Sequence, residues 1–218
     1  MSNLESINPD KREKVKKIIS TLQLRYGTTT RRDSPFYILI STLLSQRTKD
    51  ETTDKVSTQL FLKYKTPDNF NKAPVKAIES LIKSIGFYRV KAQRIKEISN
   101  ILITKFNSKV PNNFDDLVSL PGIGPKTANC VLFYGFGIPA LAVDTHVHRI
   151  SNRLGLVKTT KPEDTEKHLK PIIPQKYWGW INYALVSFGK EICRPIGPKC
   201  IGCNLTKICN YKKQQEKK

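Results

Sequence analysis

The run Leu120-Pro121-Gly122-Ile123-Gly124-Pro125-Lys126-Thr127-Ala128 joins two short helical patterns through a tight turn with two glycines. The helix before it reads from about Asn113 to Ser119, and Pro125 opens the helix after it, which runs to Phe136. Gly122 and Gly124 permit positive φ and leave the backbone bare. The N–H groups of the turn and of the next helical residues then point outward as an anion site for a phosphate. Such a turn grips a nucleic-acid backbone without reading bases, and it also serves as a plain corner in a helical bundle. Lys126 falls in the first turn of its helix, where a cation opposes the dipole. The positive helix end, nearby lysines and partial burial favour the neutral amine, which is a nucleophile. The alternative for Lys126 is a phosphate contact beside the turn.

Helical periodicity extends outward from this run. Asn8-Pro9 and Ser34-Pro35 each read as a cap followed by proline at the first helical position. Val15, Ile18, Ile19 and Leu22 mark one face of the first helix. Phe36 to about Gln46 is apolar on most sides, which predicts a central, buried helix. Val56, Leu60, Phe61 and Tyr64 mark the next, and Thr66-Pro67 begins a short one. Pro74 opens a helix with Val75, Ile78, Ile82 and Ile85 on one face, stopped by Gly86, and Ala92, Ile95, Ile98 and Leu102 mark another. Asp144 is placed to cap a helix to about Leu154, with further helices over 162–170 and 177–188. No alternating strand pattern is present, so the fold class is all-α.

The chain has 218 residues, with 38 Lys plus Arg against 18 Asp plus Glu, a net charge of +20. That excess suits a polyanion, although a solvated basic surface gives the same balance. The longest apolar stretch, near Phe36–Leu44, is too short to span a bilayer, and the N-terminus has no signal-peptide core. The expectation is a soluble monomer without a membrane partner, cytoplasmic and nucleoid-associated if prokaryotic. Lys212, Lys213, Lys217 and Lys218 are expected to form a short frayed tail.

Cys193, Cys200, Cys203 and Cys209 follow the spacing C-x6-C-x2-C-x5-C. Four thiolates hold either an iron–sulfur cluster or a structural zinc. Zinc sites commonly pair two short knuckles, and here only Cys200 and Cys203 form one, which favours the cluster. Disulfides are disfavoured in a reducing compartment. Cys130 reads as a small buried apolar residue.

Together, the hairpin 120–124, Lys126-Thr127-Ala128-Asn129, Val143-Asp144-Thr145-His146 and the cysteine quartet resemble the endonuclease III family of DNA glycosylases, within the helix-hairpin-helix glycosylase superfamily. The resemblance extends from the Ser34–Asp50 region to Cys209. It implies two helical lobes with a DNA-binding cleft between them. One is a six-helix barrel over 28–138, and the other combines 1–27 with 139–218 and carries a four-iron, four-sulfur (4Fe-4S) cluster on the four cysteines. It implies a partner, double-stranded DNA with damaged pyrimidines or abasic sites, and a base-excision enzyme that removes oxidised pyrimidines of the thymine glycol type. Lys126 would form the Schiff base through which the strand is cut by β-elimination, and Asp144 would stabilise the developing positive charge. Gly122, Ile123 and Gly124 would hold the DNA backbone, and Arg194 and Lys199 in the cysteine loop would meet phosphates.

The family fills the gap left by a flipped nucleotide with a glutamine after Leu-Leu-Ser and an apolar wedge after Ile-Gly. Phe87 is the wedge here. Ungapped matching puts Arg47 where the glutamine stands, with Gln46 one residue early, about 100° away on a helix. Arg47 is the favoured contact to the orphaned base. His146 reads as a structural hydrogen bonder, Arg149 as a support for the carboxylate, and Trp178 and Trp180 as packing. Two other readings remain: a monofunctional mismatch or adenine glycosylase of the same superfamily, and a non-enzymatic iron–sulfur DNA-binding module.

Overall fold

A computed structural model describes residues 8–28, 30 and 32–216. Among these residues the secondary structure is helical, without strands. In chain order the α-helices are α1 Pro9–Tyr26, α2 Pro35–Ser45, α3 Asp50–Lys63, α4 Pro67–Lys72, α5 Val75–Leu81, α6 Tyr88–Phe106, α7 Phe114–Ser119, α8 Pro125–Cys130, α9 Thr145–Leu154, α10 Pro162–Leu169, α11 Trp178–Glu191 and α12 Asn210–Gln215. No helix among the described residues is long and apolar enough to cross a membrane. The chain divides into two compact units, Arg31–Ile138 and Met1–Thr30 with Pro139–Lys218.

In the unit 31–138, α2 is the central helix. The Ser34 hydroxyl accepts from the Tyr37 N–H and Pro35 opens the first turn, which fixes where the helix begins. Leu39, Ile40, Leu43 and Leu44 are fully buried because α3, α6, α8 and the segment after α8 surround it. α4 lies on α6 and inserts Phe70, whose ring meets Phe36, Phe61 and Tyr64 at tilted or edge-on angles. α7 is capped by Asn113, which accepts from Asp116 N at 2.9 Å.

Two helices differ from the sequence expectation. α5 ends at Leu81, and Ile82 and Ile85 are buried from the turn that follows it. Beyond that turn Gly86 packs on the Arg47 carbonyl oxygen, 2.9 Å from an ideal Cβ position. The helix expected over 125–136 is α-helical only to Cys130, and Val131–Gly135 is π-helical. Gly135 there sits against Pro35 Cα, 2.9 Å from an ideal Cβ position, so the wider coil brings bare backbone onto the start of α2.

In the other unit, α1 starts at Asn8, whose side chain accepts from Asp10 N at 2.9 Å. Val15, Ile18, Ile19 and Leu22 join a core with Val147 and Ile150 of α9 and Ile181, Leu185 and Phe188 of α11. Trp180 Nε1 donates to Gly27 O at 2.9 Å and Trp178 Nε1 to Ile173 O at 2.8 Å, so both indoles pack with their polar edge satisfied. Arg25 pairs with Glu191, and Tyr26 Oη donates to the same carboxylate at 2.9 Å. Lys212 and Lys213 are not a frayed tail. They lie in α12, where Lys212 pairs with Glu216 at 3.4 Å, a helical spacing that offsets part of the local charge. Lys217 and Lys218 lie outside the described residues.

Leu43→Ala is expected to lower the unfolding free energy by about 2–5 kcal/mol, because it opens a cavity at a fully buried side chain. Leu24→Ala, on a side chain 91% exposed, should change it by under about 0.5 kcal/mol. Urea denaturation followed by far-ultraviolet circular dichroism measures both.

Candidate functional site

The hairpin runs from α7 through Leu120–Gly124 into α8. Gly122 adopts φ +77°, and Ile123 N donates to Leu120 O at 3.1 Å to close the turn. The Ile123 side chain is buried and its N–H is spent inside the turn, so it anchors the hairpin to the core. Gly122 lies under the Arg94 side chain, with Arg94 Cδ 2.7 Å from an ideal Cβ position. Gly124, by contrast, has no atom within 4 Å of its Cβ position. Bare backbone facing open space is what a ligand's backbone can approach closely. Pro125 and Lys126 are the first two residues of α8, and Lys126 is half-buried.

Gln46 and Arg47 are not successive residues of a helix, so the 100° separation does not hold. α2 ends at Ser45, Gln46 is its extended C-cap, and Arg47 has φ +55°. The Gln46 side chain turns to the hairpin and donates from Nε2 to Gly122 O at 3.2 Å. Arg47 is exposed and its guanidinium lies over the Phe87 ring, 5.5 Å from the centroid. Phe87 has φ +58°, starts α6 and is 62% exposed. The structure therefore brings Gln46, Arg47, Phe87 and the hairpin into one connected group within the unit 31–138.

Two residues of this group escaped the sequence reading. Lys91, 3% exposed, donates from Nζ to Leu44 O at 2.8 Å and Gln46 O at 2.5 Å. Burial, helped by the charge of Arg94, lowers its pKa to about 8. Arg94, one turn on, covers Gly122. The signal was a lysine in register with the apolar face Ile95, Ile98 and Leu102 of α6.

In the other unit, Asp144 caps α9. Its Oδ1 accepts from Val147 N at 2.8 Å, and the half-buried carboxylate sits at the positive end of the helix. Burial lowers the pKa of His146, with Asp144 opposing that shift and Arg149 adding to it. His146 Nδ1 lies 3.2 Å from Arg149 Nη2, a structural contact. Arg149 interacts with Asp144 through charge, while its hydrogen bonds go elsewhere. Its guanidinium donates to Cys193 O at 2.9 Å from Nη2 and 3.3 Å from Nε, because it points along α9 towards the cysteine loop.

Cys193, Cys200, Cys203 and Cys209 line one cavity together with Leu154, Phe188, Ile192 and Leu205. Among the described residues no group of three or more His, Cys, Asp or Glu side chains forms a metal-ion site. Burial raises the Cys200 pKa, and the thiols of Cys209, Cys203 and Cys193 raise it further, so the four sense one another. Arg153 Nη1 lies 3.5 Å from Cys193 Sγ and donates to Arg194 O at 2.6 Å. Thr206 Oγ1 donates to Cys203 O at 2.6 Å and lies 3.1 Å from Cys200 O. Arg194 and Lys199 are both exposed in this loop, and Arg194 Nε reaches Lys190 O at 3.3 Å. Cys130 is buried in α8, outside this group.

Residues 40–175 match the family model described as HhH-GPD superfamily base excision DNA repair protein. Endonuclease III of Thermotoga maritima is 51% identical over 193 residues, 88% of this chain and 91% of the relative. The structure of a non-covalent endonuclease III–DNA complex superposes with a TM-score of 0.88 at 36% identity, covering 95% of this chain and 99% of the other. A trapped covalent endonuclease III–DNA intermediate, in an estranged-adenine complex, gives 0.88 at 35% identity over 94% and 98%.

The two glycines should respond differently to alanine. Gly122→Ala forces a side chain into positive φ beside Arg94 and is expected to cost about 1–2 kcal/mol of stability. Gly124→Ala has ordinary φ and empty space, and should cost less than about 0.5 kcal/mol. Equal losses in chemical denaturation would contradict this assignment.

Proposed function

On the premise that this chain belongs to the HhH-GPD superfamily of base excision DNA repair proteins, and within it to the endonuclease III family, we propose that Lys126 is its nucleophile and oxidised pyrimidines its substrates. The chain is a bifunctional enzyme, a DNA glycosylase and abasic-site lyase. The observation that carries the assignment is Lys126 in the first turn of α8, two residues after the open glycine of the hairpin. A backbone gripped at Gly124 brings a nucleotide to an amine at fixed spacing. The covalent intermediate of the structural relative supports the same chemistry.

The target nucleotide leaves the stack, since C1′ within a duplex is closed to in-line attack. The Lys126 amine bonds to C1′ as the glycosidic bond breaks, and the base departs with that electron pair and a proton. Ring opening gives an iminium on Lys126. Loss of a C2′ proton then expels the 3′ phosphate, and water releases the lysine. The first step develops positive charge at the sugar, and Asp144 supplies the compensating carboxylate. Phe87 occupies the space the base leaves, Arg47 faces the orphaned partner, and Arg194 and Lys199 meet phosphates.

The four cysteines fit a 4Fe-4S cluster: one cavity is lined by all four thiols and by apolar walls. When bound, the cluster would cross-link the loop 193–209, which carries Arg194 and Lys199. Charge on those two side chains meets DNA only if the loop is held.

Borohydride reduction on a duplex bearing one thymine glycol should trap wild type covalently and fail to trap Lys126→Ala. Base release without any trapped complex would point instead to a monofunctional glycosylase. Asp144→Asn keeps a competent helix cap but loses the charge, so thermal stability should hold while turnover falls by about 100-fold or more. Purified protein should be brown, with iron and acid-labile sulfide; stoichiometric zinc with neither would exclude the cluster.

A further inference from the structure

Lys91 is the one fully enclosed charged side chain among the described residues. Its ammonium fills the place where α2 ends. Leu44 O and Gln46 O accept from it, and Thr48 Oγ1 lies 3.5 Å away. α2 has no basic residue in its last turn and no glycine at its end, and the carbonyls of Leu44 and Gln46 take a partner from another helix. A cation from α6 suits both the carbonyls and the negative end of the dipole.

The same contacts fix the turn that follows. Thr48 N donates to Ser45 O at 3.1 Å, and Thr48 Oγ1 accepts from Gly86 N at 3.3 Å. Gly86 packs on Arg47 O. Lys91 N donates to Phe87 O at 3.0 Å, so the lysine stands one turn inside the helix that Phe87 begins. Arg47 and Phe87 both hold left-handed φ without being glycine, and they face each other. Strained residues persist only where their surroundings over-determine them, and here the shared surrounding is Lys91.

We infer that Lys91 is a positioning residue: it never touches DNA, yet it sets the Gln46–Thr48 turn so that Arg47 and Phe87 are presented as a pair, and discrimination of the base opposite the lesion depends on it. This rests on the reading that Arg47 faces the orphaned base. It goes further in placing the control of that contact on a buried group of another helix.

The test uses the full chain with its cofactor as purified, and four duplexes carrying thymine glycol opposite A, G, C or T. The readout is the ratio of single-turnover excision rates between the best and worst opposite base. Arg47→Ala should reduce this ratio. Lys91→Met should reduce it as far, and the double variant no further than either alone, as expected of residues acting through one element. Lys91→Arg, which returns donors to the carbonyls, should restore part of it. Cleavage of a single-stranded abasic oligonucleotide, which has no opposite base, should stay within about twofold of wild type for Lys91→Met and Lys91→Arg. If Arg47→Ala leaves the ratio unchanged, the reading of Arg47 fails and the inference with it. If Arg47→Ala lowers the ratio but Lys91→Met does not, only the inference fails. Equal loss on duplex and single strand would mean general damage and overturn it too. Should Lys91→Met not fold, Thr48→Val removes an oxygen of the same network at constant volume. A lowered ratio there supports the inference, and an unchanged one overturns it.

Discussion

α2 is apolar on most sides, and the way it ends governs what the unit 31–138 can present. The Leu44 carbonyl at its end is buried, and a buried acceptor without a donor costs about 1–3 kcal/mol. A glycine in left-handed geometry would solve this locally, but the chain reads Ser45-Gln46-Arg47. The Lys91 ammonium supplies the donors instead. Because that donor belongs to α6, closing α2 also fixes α6. Gln46 then carries the connection to Gly122, and Arg94 covers the same glycine from α6. The hairpin, Phe87 and the turn before α3 are thus referenced to one buried cation, and Lys126 follows the hairpin at covalent spacing.

The cysteine loop is held on a different principle. Between Cys193 and Cys209 the regular structure is one 3-10 turn, with Gly197 and Gly202 at positive φ. Such a segment buries little of its own. Ties from α9 hold it at one end: Arg149 to Cys193 O, and Arg153 to Arg194 O and Pro195 O. Thr206 holds the knuckle at the other. Burial and the neighbouring thiols of Cys209, Cys203 and Cys193 raise the pKa of Cys200 in the cavity that the four share. A positively charged iron core, if bound as proposed, would reverse that balance and couple its binding to ordering of the loop. Asp144 and Arg153 lie on the same helix, capped at its start and tied to the loop near its end.

Elements that rest on local chemistry were legible in the sequence. Caps at Asn8, Ser34, Thr66, Asn113 and Asp144 each announce a helix start through a short oxygen-bearing side chain, and each accepts a backbone N–H where expected. The hairpin was legible because two glycines and a proline restrict the backbone so strongly. Non-local requirements were not. α5 stops at Leu81 while Gly86 meets Arg47 O, and in the π segment Gly135 meets Pro35, and neither contact is visible within its own window. The charge interaction of Arg149 with Asp144 follows from their proximity in sequence, whereas its hydrogen bond to Cys193 O on another element does not. Gln46 and Arg47 were compared as neighbours on a helix that in fact ends one residue earlier. Lys91 was overlooked because a lysine on an apolar stripe reads as a breach in the pattern, when it was the answer to a helix end.

A side chain that must enter a duplex is useful only if it is held before the base leaves, since ordering a loop at that moment would be subtracted from the binding free energy. A flexible loop would present Phe87 cheaply in the free protein and expensively in the complex. Here the order of costs is inverted. Left-handed geometry at Arg47 and Phe87 is unfavourable by about 1–2 kcal/mol each for residues with a Cβ, and folding absorbs it. The buried contacts of Lys91 and the close approach of Gly86 to Arg47 O provide the compensation. The exposed ring then has few alternatives, because Phe87 is fixed as the start of α6 and the Arg47 guanidinium covers it. Strain at two exposed residues and a cation buried between two helices are therefore one arrangement, in which stability is given up so that Arg47 and Phe87 are already in place.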